Sequence, residues 1–460
     1  MEFLKILKKF VLIYFSLILI FSLTLFIVSS IPSDPIRNNI KQSVPLFMKE
    51  GDYPRIAGNH KINQLDNYAE SVMLNIIYNI DENHPVESVL RAEFYQIGPD
   101  GSMENLRVTS LKALVEDNVE PNIDYPRYWN GYIIIVRPLL AFLSYASIRK
   151  LMQILFYLLF SIIVILLSKK VSVISAIAFS LSMILINFMV IPLTIHASFI
   201  FFIVFIFMII LLLFPNLSNN NAVFLFFIFG ALTSFMDLLT APLVTFGLPA
   251  ITLLLLRRQR EKTSSIKDYI LFLVYISISW ILGYALLWGT KWILASIALH
   301  ENIIMDGINA VIFRISHEVP FGQKFEINAI DAIIRNVQTL YTYTITDYPI
   351  IYFALPCLII VVLVLSIWHR KKADLLFPSI LVIIGLSPYL WFAFAANHSY
   401  IHHWFTCRIQ SVTIFSFLVA FYYFIDWQKM KADMKKPGAL IRASKDKRKR
   451  RKLQVSIEKL

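Results

Sequence analysis

Two cysteines, Cys357 and Cys407, are all that this 460-residue chain contains. Each lies in or beside a separate apolar run, so neither a disulfide framework nor a zinc site can be built from them. The chain also lacks a P-loop, a G-x-G-x-x-G turn before a helix, a G-x-S-x-G elbow and an H-E-x-x-H pair. Nucleotide-driven transport and ordinary hydrolase chemistry therefore have no support. No Ser/Gly linker and no clear internal repeat divides it. What fills the chain is apolar: 57% of its residues are hydrophobic and the mean hydropathy is +0.65. A soluble protein of this size could not hide that much apolar surface. The apolar residues also come in runs of about twenty, the length that crosses a bilayer core.

The pattern predicts an all-α polytopic membrane protein with about ten transmembrane helices. Spans are expected near 10–30, 151–168, 171–191, 196–214, 222–236, 241–256, 268–288, 349–368, 374–395 and 409–425. The first follows Lys5, Lys8 and Lys9. Its apolar run is long and no A-x-A site follows, so it reads as an uncleaved span and not a signal peptide. The chain then divides into a first transmembrane helix (1–30), an outer loop domain with interfacial helices (31–147), a transmembrane bundle (148–288), a second outer loop (289–348), a further bundle (349–425) and a basic cytoplasmic tail (426–460). The net charge of +13 supports this register. Lys169-Lys170, Arg257-Arg258-Gln259-Arg260, His369-Arg370-Lys371-Lys372 and the tail all fall on one side, and no basic cluster falls on the other. That side is the cytoplasm, which places both termini inside. The Lys-, Ile- and Asn-rich composition suggests an AT-rich bacterium, for which the membrane is the plasma membrane. The apolar segment 132–147 would reverse every later loop if it spanned, and it contains Arg137-Pro138. It reads as a helix in the outer interface. The run 445–452 reads as a solvated tail near anionic lipid heads, with no nucleic-acid role.

Ionisable residues at a membrane edge are costly and often functional. In this topology they gather outside. Asp66 and Glu70 lie in the first outer domain, His196 and Asp237 in short outer turns, and Lys291 after the seventh span. Asn397, His398, His402, His403 and Arg408 crowd the last outer loop. Each has a plainer use. Asp66 opens a helical pattern and is suited to an N-cap. Asp237 is suited to capping a span end, and His196 to a structural hydrogen bond. His398 and His402, four apart, share a helix face that suits either a divalent metal such as Mg or Mn, or hydrogen bonds to backbone. Arg137 and Arg408 can snorkel to head groups or grip a phosphate with paired hydrogen bonds. Trp129, Trp288, Trp292, Trp391 and Trp404 read as an aromatic belt, one or two of them free to stack on a sugar. Nucleotide sugars are made inside the cell, so a sugar donor for an outward site would be anchored in the membrane.

This layout of a first span, a long outer loop with an acid and interfacial helices, then many spans resembles the GT-C superfamily of membrane glycosyltransferases. The stretch Asp66-Asn67-Tyr68-Ala69-Glu70 is similar to the Asp-Glu-x-x-Tyr-Ala-Glu type stretch of the protein mannosyltransferase and aminoarabinose transferase branch, with Asn67 where a second acid is expected and a shorter spacing. Asp81-Glu82 is a true acidic pair in the same loop and a rival for the base. Tyr125-Pro126-Arg127-Tyr128-Trp129-Asn130-Gly131-Tyr132 and the segment 237–242 look like motifs of uncharacterised Gram-positive membrane proteins. The resemblance implies transfer of a sugar, with inversion, from a polyprenyl-phosphate carrier to an envelope glycan, lipid or protein on the outer face. Asp66 would be the base. Arg408, Arg137, Lys291 or a metal at His398 and His402 would meet the charge on the departing phosphate, and Glu70, Asp237 and His398 would contact substrate. A transporter or flippase of envelope precursors, a polysaccharide polymerase and a non-catalytic assembly protein are the alternatives.

Overall fold

The computed structural model describes residues 2–56, 58, 60–98, 106–261, 265–316, 326–345 and 375–432. The expected span at 349–368, Cys357, the basic loop at 369–372 and most of the basic tail lie outside these residues. The described elements are helical. α1 (Glu2–Ser29) leads into a layer of shorter helices: α2 (Ser33–Glu50), α3 (Asn67–Tyr78), α4 (Pro85–Arg91), α5 (Leu106–Glu116) and α6 (Ile133–Leu140). A run of long helices follows: α7 (Tyr145–Lys170), α8 (Val173–Leu185), α9 (Ile195–Leu213), α10 (Asn219–Met236), α11 (Val244–Arg260) and α12 (Ile266–Leu299). α13 (Ile303–Ile315), α14 (Ala329–Ile345), α15 (Leu376–Phe394), α16 (Ala396–Ile401) and α17 (His403–Phe424) complete the chain.

Seven of these helices, among the described residues, are long and apolar enough to cross a membrane: α1, α7, α9, α10, α12, α15 and α17. This is the architecture of a polytopic membrane protein. Two expected spans are not among these seven. The run 171–191 folds as the 13-residue α8, only about 20 Å long, because the chain turns at Asn187, which takes a left-handed φ of 53°. The run 241–256 becomes the 17-residue α11, closed by Arg257, Arg258 and Arg260. The segment 132–147 contributes only the 8-residue α6, packed against α1 and α2, too short to span.

The helices sort by what surrounds them. Only 11% of the apolar window of α1 is buried, and Leu12, Phe15 and Leu19 face outward. In α9 the buried share is 78%, and α11 is buried at every position from Val244 to Arg257. α9, α10, α11 and α17 are thus the centre, while α1, α7, α8, α12 and α15 present apolar faces to the lipid. Helix starts are fixed by serines: Ser172 accepts from the Ser175 amide at 3.0 Å, and Ser265 forms a capping box with Asp268. α10 and α12 approach closely through Gly230 and Gly283. A Cβ on Gly230 would overlap the Trp280 carbonyl, and one on Gly283 would overlap that of Phe227.

The two ends of the bundle differ. At one end, Lys9 sits 4.3 Å from the Phe224 ring centre, Arg260 donates to the Leu217 carbonyl at 3.3 Å, Arg257 pairs with Glu261 at 2.7 Å, and Arg258 lies over Phe377. Cations at the C-terminal ends of α7 and α11 also suit the helix dipole. The start of α9, the end of α10 and the segment around α16 meet at the other end, beneath the layer of short helices.

Candidate functional site

That second end holds a cavity of about 220 Å³. Asp66, Tyr68, His196, Thr240, His398 and His402 are on its walls, together with Tyr53, Arg107, Tyr125, Asn130 and Arg314. Asp66 reaches it as the N-cap of α3, accepting the Ala69 amide at 2.9 Å. The cap and the cavity wall are therefore one side chain in two roles. Burial pushes its carboxyl up to about 6, against the opposing pull of His196 and the Ala69 hydrogen bond. Such a group is ionised at neutral pH yet far more basic than an ordinary carboxylate.

Glu70, one helical turn on, does not reach the cavity. It is fully buried and accepts the backbone amide of His196 at 2.8 Å and its Nδ1 at 2.7 Å, and it also accepts the Tyr145 hydroxyl. Burial raises its carboxyl, but the hydrogen bonds from His196 and Tyr145 and the charge of His196 outweigh it and hold Glu70 below the usual range. Its work is to fix the imidazole ring that lines the cavity beside Asp66. Behind it Arg149 grips Glu50 with hydrogen bonds of 2.9 and 3.1 Å, and Asn67 donates to Glu50 at 2.9 Å. Asn67 thus supports the frame.

The last loop supplies two neutral imidazoles. Burial drives His398 well below its ordinary value and His402 down to about 4. His398 Nε2 donates to the Leu239 carbonyl at 2.6 Å, which leaves Nδ1 as a buried acceptor without a partner. Leu239 takes a left-handed φ of 71° to offer that carbonyl, and Asn130, also on the wall, takes 52°. A left-handed non-glycine residue costs roughly 1–2 kcal/mol, and such strain concentrates at functional sites. The ring centres of His398 and His402 lie 4.8 Å apart. With one nitrogen of His398 spent on Leu239, and with no group of three His, Cys, Asp or Glu among the described residues able to hold a metal, the pair does not fit a Mg or Mn site.

The other expected site residues are placed elsewhere. Arg137 is fully buried and spends its guanidinium on the carbonyls of Val28, Ser29, Ile31 and Ile77 and on the Ser33 hydroxyl. It ties α6 to the end of α1. Lys291 does not follow its helix, because α12 continues to Leu299; its ammonium donates to the Val89 and Leu90 carbonyls at 3.3 and 3.0 Å. Arg408 donates to the Trp404 and Ile62 carbonyls and borders a small neighbouring cavity. Asp237 accepts from the Thr240 amide at 2.9 Å and caps its own turn, beside the cavity and not on its wall. Asp81 is at the surface with His84 at 2.8 Å, remote in role from the buried Asp66. The aromatic belt is also partly inside: Trp129 is buried and donates to the Leu287 carbonyl, while Trp288 and Trp292 both donate to the Arg127 carbonyl. These three pin the 125–132 loop, so that Tyr125, Asn130 and Tyr132 face the cavity.

Comparison with family models, curated proteins and solved structures returned no match for this chain.

Proposed function

We propose that the chain is a membrane glycosyltransferase that moves a sugar from a polyprenyl-phosphate carrier to an envelope acceptor on the outer face of the plasma membrane, inverting the anomeric centre. The observation that carries the reading is Asp66: one buried, basic carboxylate on the wall of a cavity at the end of the bundle opposite the arginines. Basic clusters stay in the cytoplasm, so the cavity opens outside. The polar residues sit at helix ends and not at mid-span, where a transporter would place them.

In this reading the Asp66 carboxylate accepts the proton of an acceptor hydroxyl as its oxygen bonds to the sugar C1. The bond from C1 to the phosphate oxygen breaks, and its electron pair leaves with the polyprenyl phosphate. One base and a good leaving group are enough, so the second carboxylate of a hydrolase is not required. Glu70 holds His196 in place beside the base. The His398 Nδ1 acceptor and the aromatic wall of Tyr53, Tyr68, Tyr125 and Tyr132 suit the hydroxyls and apolar faces of a sugar.

The test is a deletion strain complemented with wild type or Asp66→Asn at equal membrane abundance, followed by analysis of envelope glycans. A sugar restored by wild type and not by the variant supports the reading and names the donor. Equal restoration by both removes Asp66 as the base and favours a transporter.

A further inference from the structure

α12 is longer than a span requires. Its 34 residues cover about 51 Å, against about 30 Å for a bilayer core. It starts among the arginines, where Arg257 lies over Tyr269, so its last turns stand at the cavity end. Leu282, Leu286, Ile293 and Ile297 share one face of it by helical spacing, and all four are exposed. The apolar face that meets lipid thus runs on, past Trp288 and Trp292, to the end of the helix.

There His300 takes a left-handed φ of 55° and the chain turns back as α13. α13 lies against the last turns of α12: Ile303 packs with Ala295 and Leu299, and a Cβ on Gly307 would overlap the Trp292 ring. Its faces are reversed for a helix in water. The charged residues, Asp306 and Arg314, turn toward the protein. Asp306 accepts from Arg127 at 2.9 Å, and Arg314 donates to the Tyr128 hydroxyl and lines the cavity. Ile304, Met305, Ile308, Ile312 and Ile315 turn outward, and Ile312 is 55% exposed. At about 100° of turn per residue, these five fall within about 100° of one another. Asn309 and Phe313 border them, and no charged residue interrupts the face. A contiguous apolar surface with the charges behind it calls for a non-aqueous neighbour. The neighbour that already meets the exposed face of α12 beside it is lipid.

We propose that α13 lies in the outer interface of the bilayer, with its isoleucine face against the acyl chains at the head-group boundary. The partner is the phospholipid surface. The cavity wall at Arg314 is then one helix away from lipid, and this part of the expected second outer loop is a membrane-contacting element. The proposal is independent of the transferase reading, because it concerns what surrounds the helix and not what the cavity binds.

The full chain with Cys357→Ser, its Cys407 being buried, would carry a single nitroxide at Ile308→Cys or Ile312→Cys in phosphatidylcholine vesicles. Collisions of the label with oxygen, which concentrates in lipid, would be compared with collisions with a nickel chelate, which stays in water. Leu282→Cys on α12 is the lipid reference, and Glu116→Cys at the exposed end of α5 is the water reference. Both α13 sites should favour oxygen, as Leu282 does. A second measurement needs no label: Ile308→Asp and Ile312→Asp should each lower the melting temperature in the same vesicles, because a carboxylate is costly in lipid. Preference for the nickel chelate, as at Glu116, places the face in water and overturns the proposal. Shielding from both reagents overturns it too, because a protein surface, from this chain, a second copy or another protein, then covers the face. A melting temperature that neither aspartate lowers has the same consequence.

Discussion

At the scale of single residues, Asp66 makes two opposed predictions. Its carboxyl stands near 6 in the folded chain, raised from 3.8 by burial. The native state therefore binds more protons than the unfolded chain between these values, and stability falls as pH rises through that window. Ionised Asp66 is a cost at neutral pH, on the order of 3 kcal/mol. Asp66→Asn keeps a good N-cap for α3 and removes the buried charge. The variant should be inactive yet melt higher than wild type at pH 7, with the difference shrinking toward pH 4. As the base, Asp66 must be ionised, so activity should drop as pH falls through about 6; a flat profile across that range would rule it out. Glu70 behaves oppositely. Its partners stabilise the charge, and Glu70→Ala should cost about 3–5 kcal/mol, read as a lower melting temperature of the solubilised protein. Part of this was legible early: Asp66 and Glu70 bound the stretch Asp66-Asn67-Tyr68-Ala69-Glu70 that the sequence singles out. That one faces the cavity and the other faces its supports was not, because their four-residue spacing is that of a single helix face. Only the position of His196, 126 residues away from Glu70, separates their roles.

Elements are held by backbone approach and by cations without acids. Gly283 and Gly289 lie on the same helix, α12, but only the first meets a neighbour. Gly283→Val should separate α10 from α12 and leave little monodisperse protein in size-exclusion chromatography. Gly289→Ala has open space and should be neutral or slightly stabilising, by at most about 1 kcal/mol, from helix propensity. Arg137 separates structure from chemistry. Arg137→Gln strands the carbonyls of α1 and the loop after it, so it should lower the yield of folded protein, in contrast to the well-folded Asp66→Asn. Sequence marked Arg137, Lys291 and Arg408 as phosphate ligands because each is a cation near a span end. The structure gives all three to carbonyls at helix ends, a use that no spacing rule announces. Arg107 and Arg314 carried no such mark, although both line the cavity.

The whole molecule makes a prediction about sides. Phe142, 85% exposed near the cavity end, and Gln259 at the arginine end should be labelled from opposite faces. In a Cys357→Ser background, with Cys407 buried, an impermeant maleimide should reach Phe142→Cys in intact cells and Gln259→Cys only after permeabilisation. The reverse pattern would turn the cavity inward and remove polyprenyl-linked donors from consideration. The runs of apolar residues determined by themselves that this chain lives in a membrane as helices, because a bilayer leaves the backbone few other ways to satisfy its hydrogen bonds. The positions of lysine and arginine determined which ends go together, because charge does not cross hydrocarbon readily. The tertiary structure alone decided which polar side chains meet in the cavity and which are consumed in holding it open. That choice depends on partners tens to hundreds of residues apart, and hydropathy, which averages along the chain, carries no trace of it.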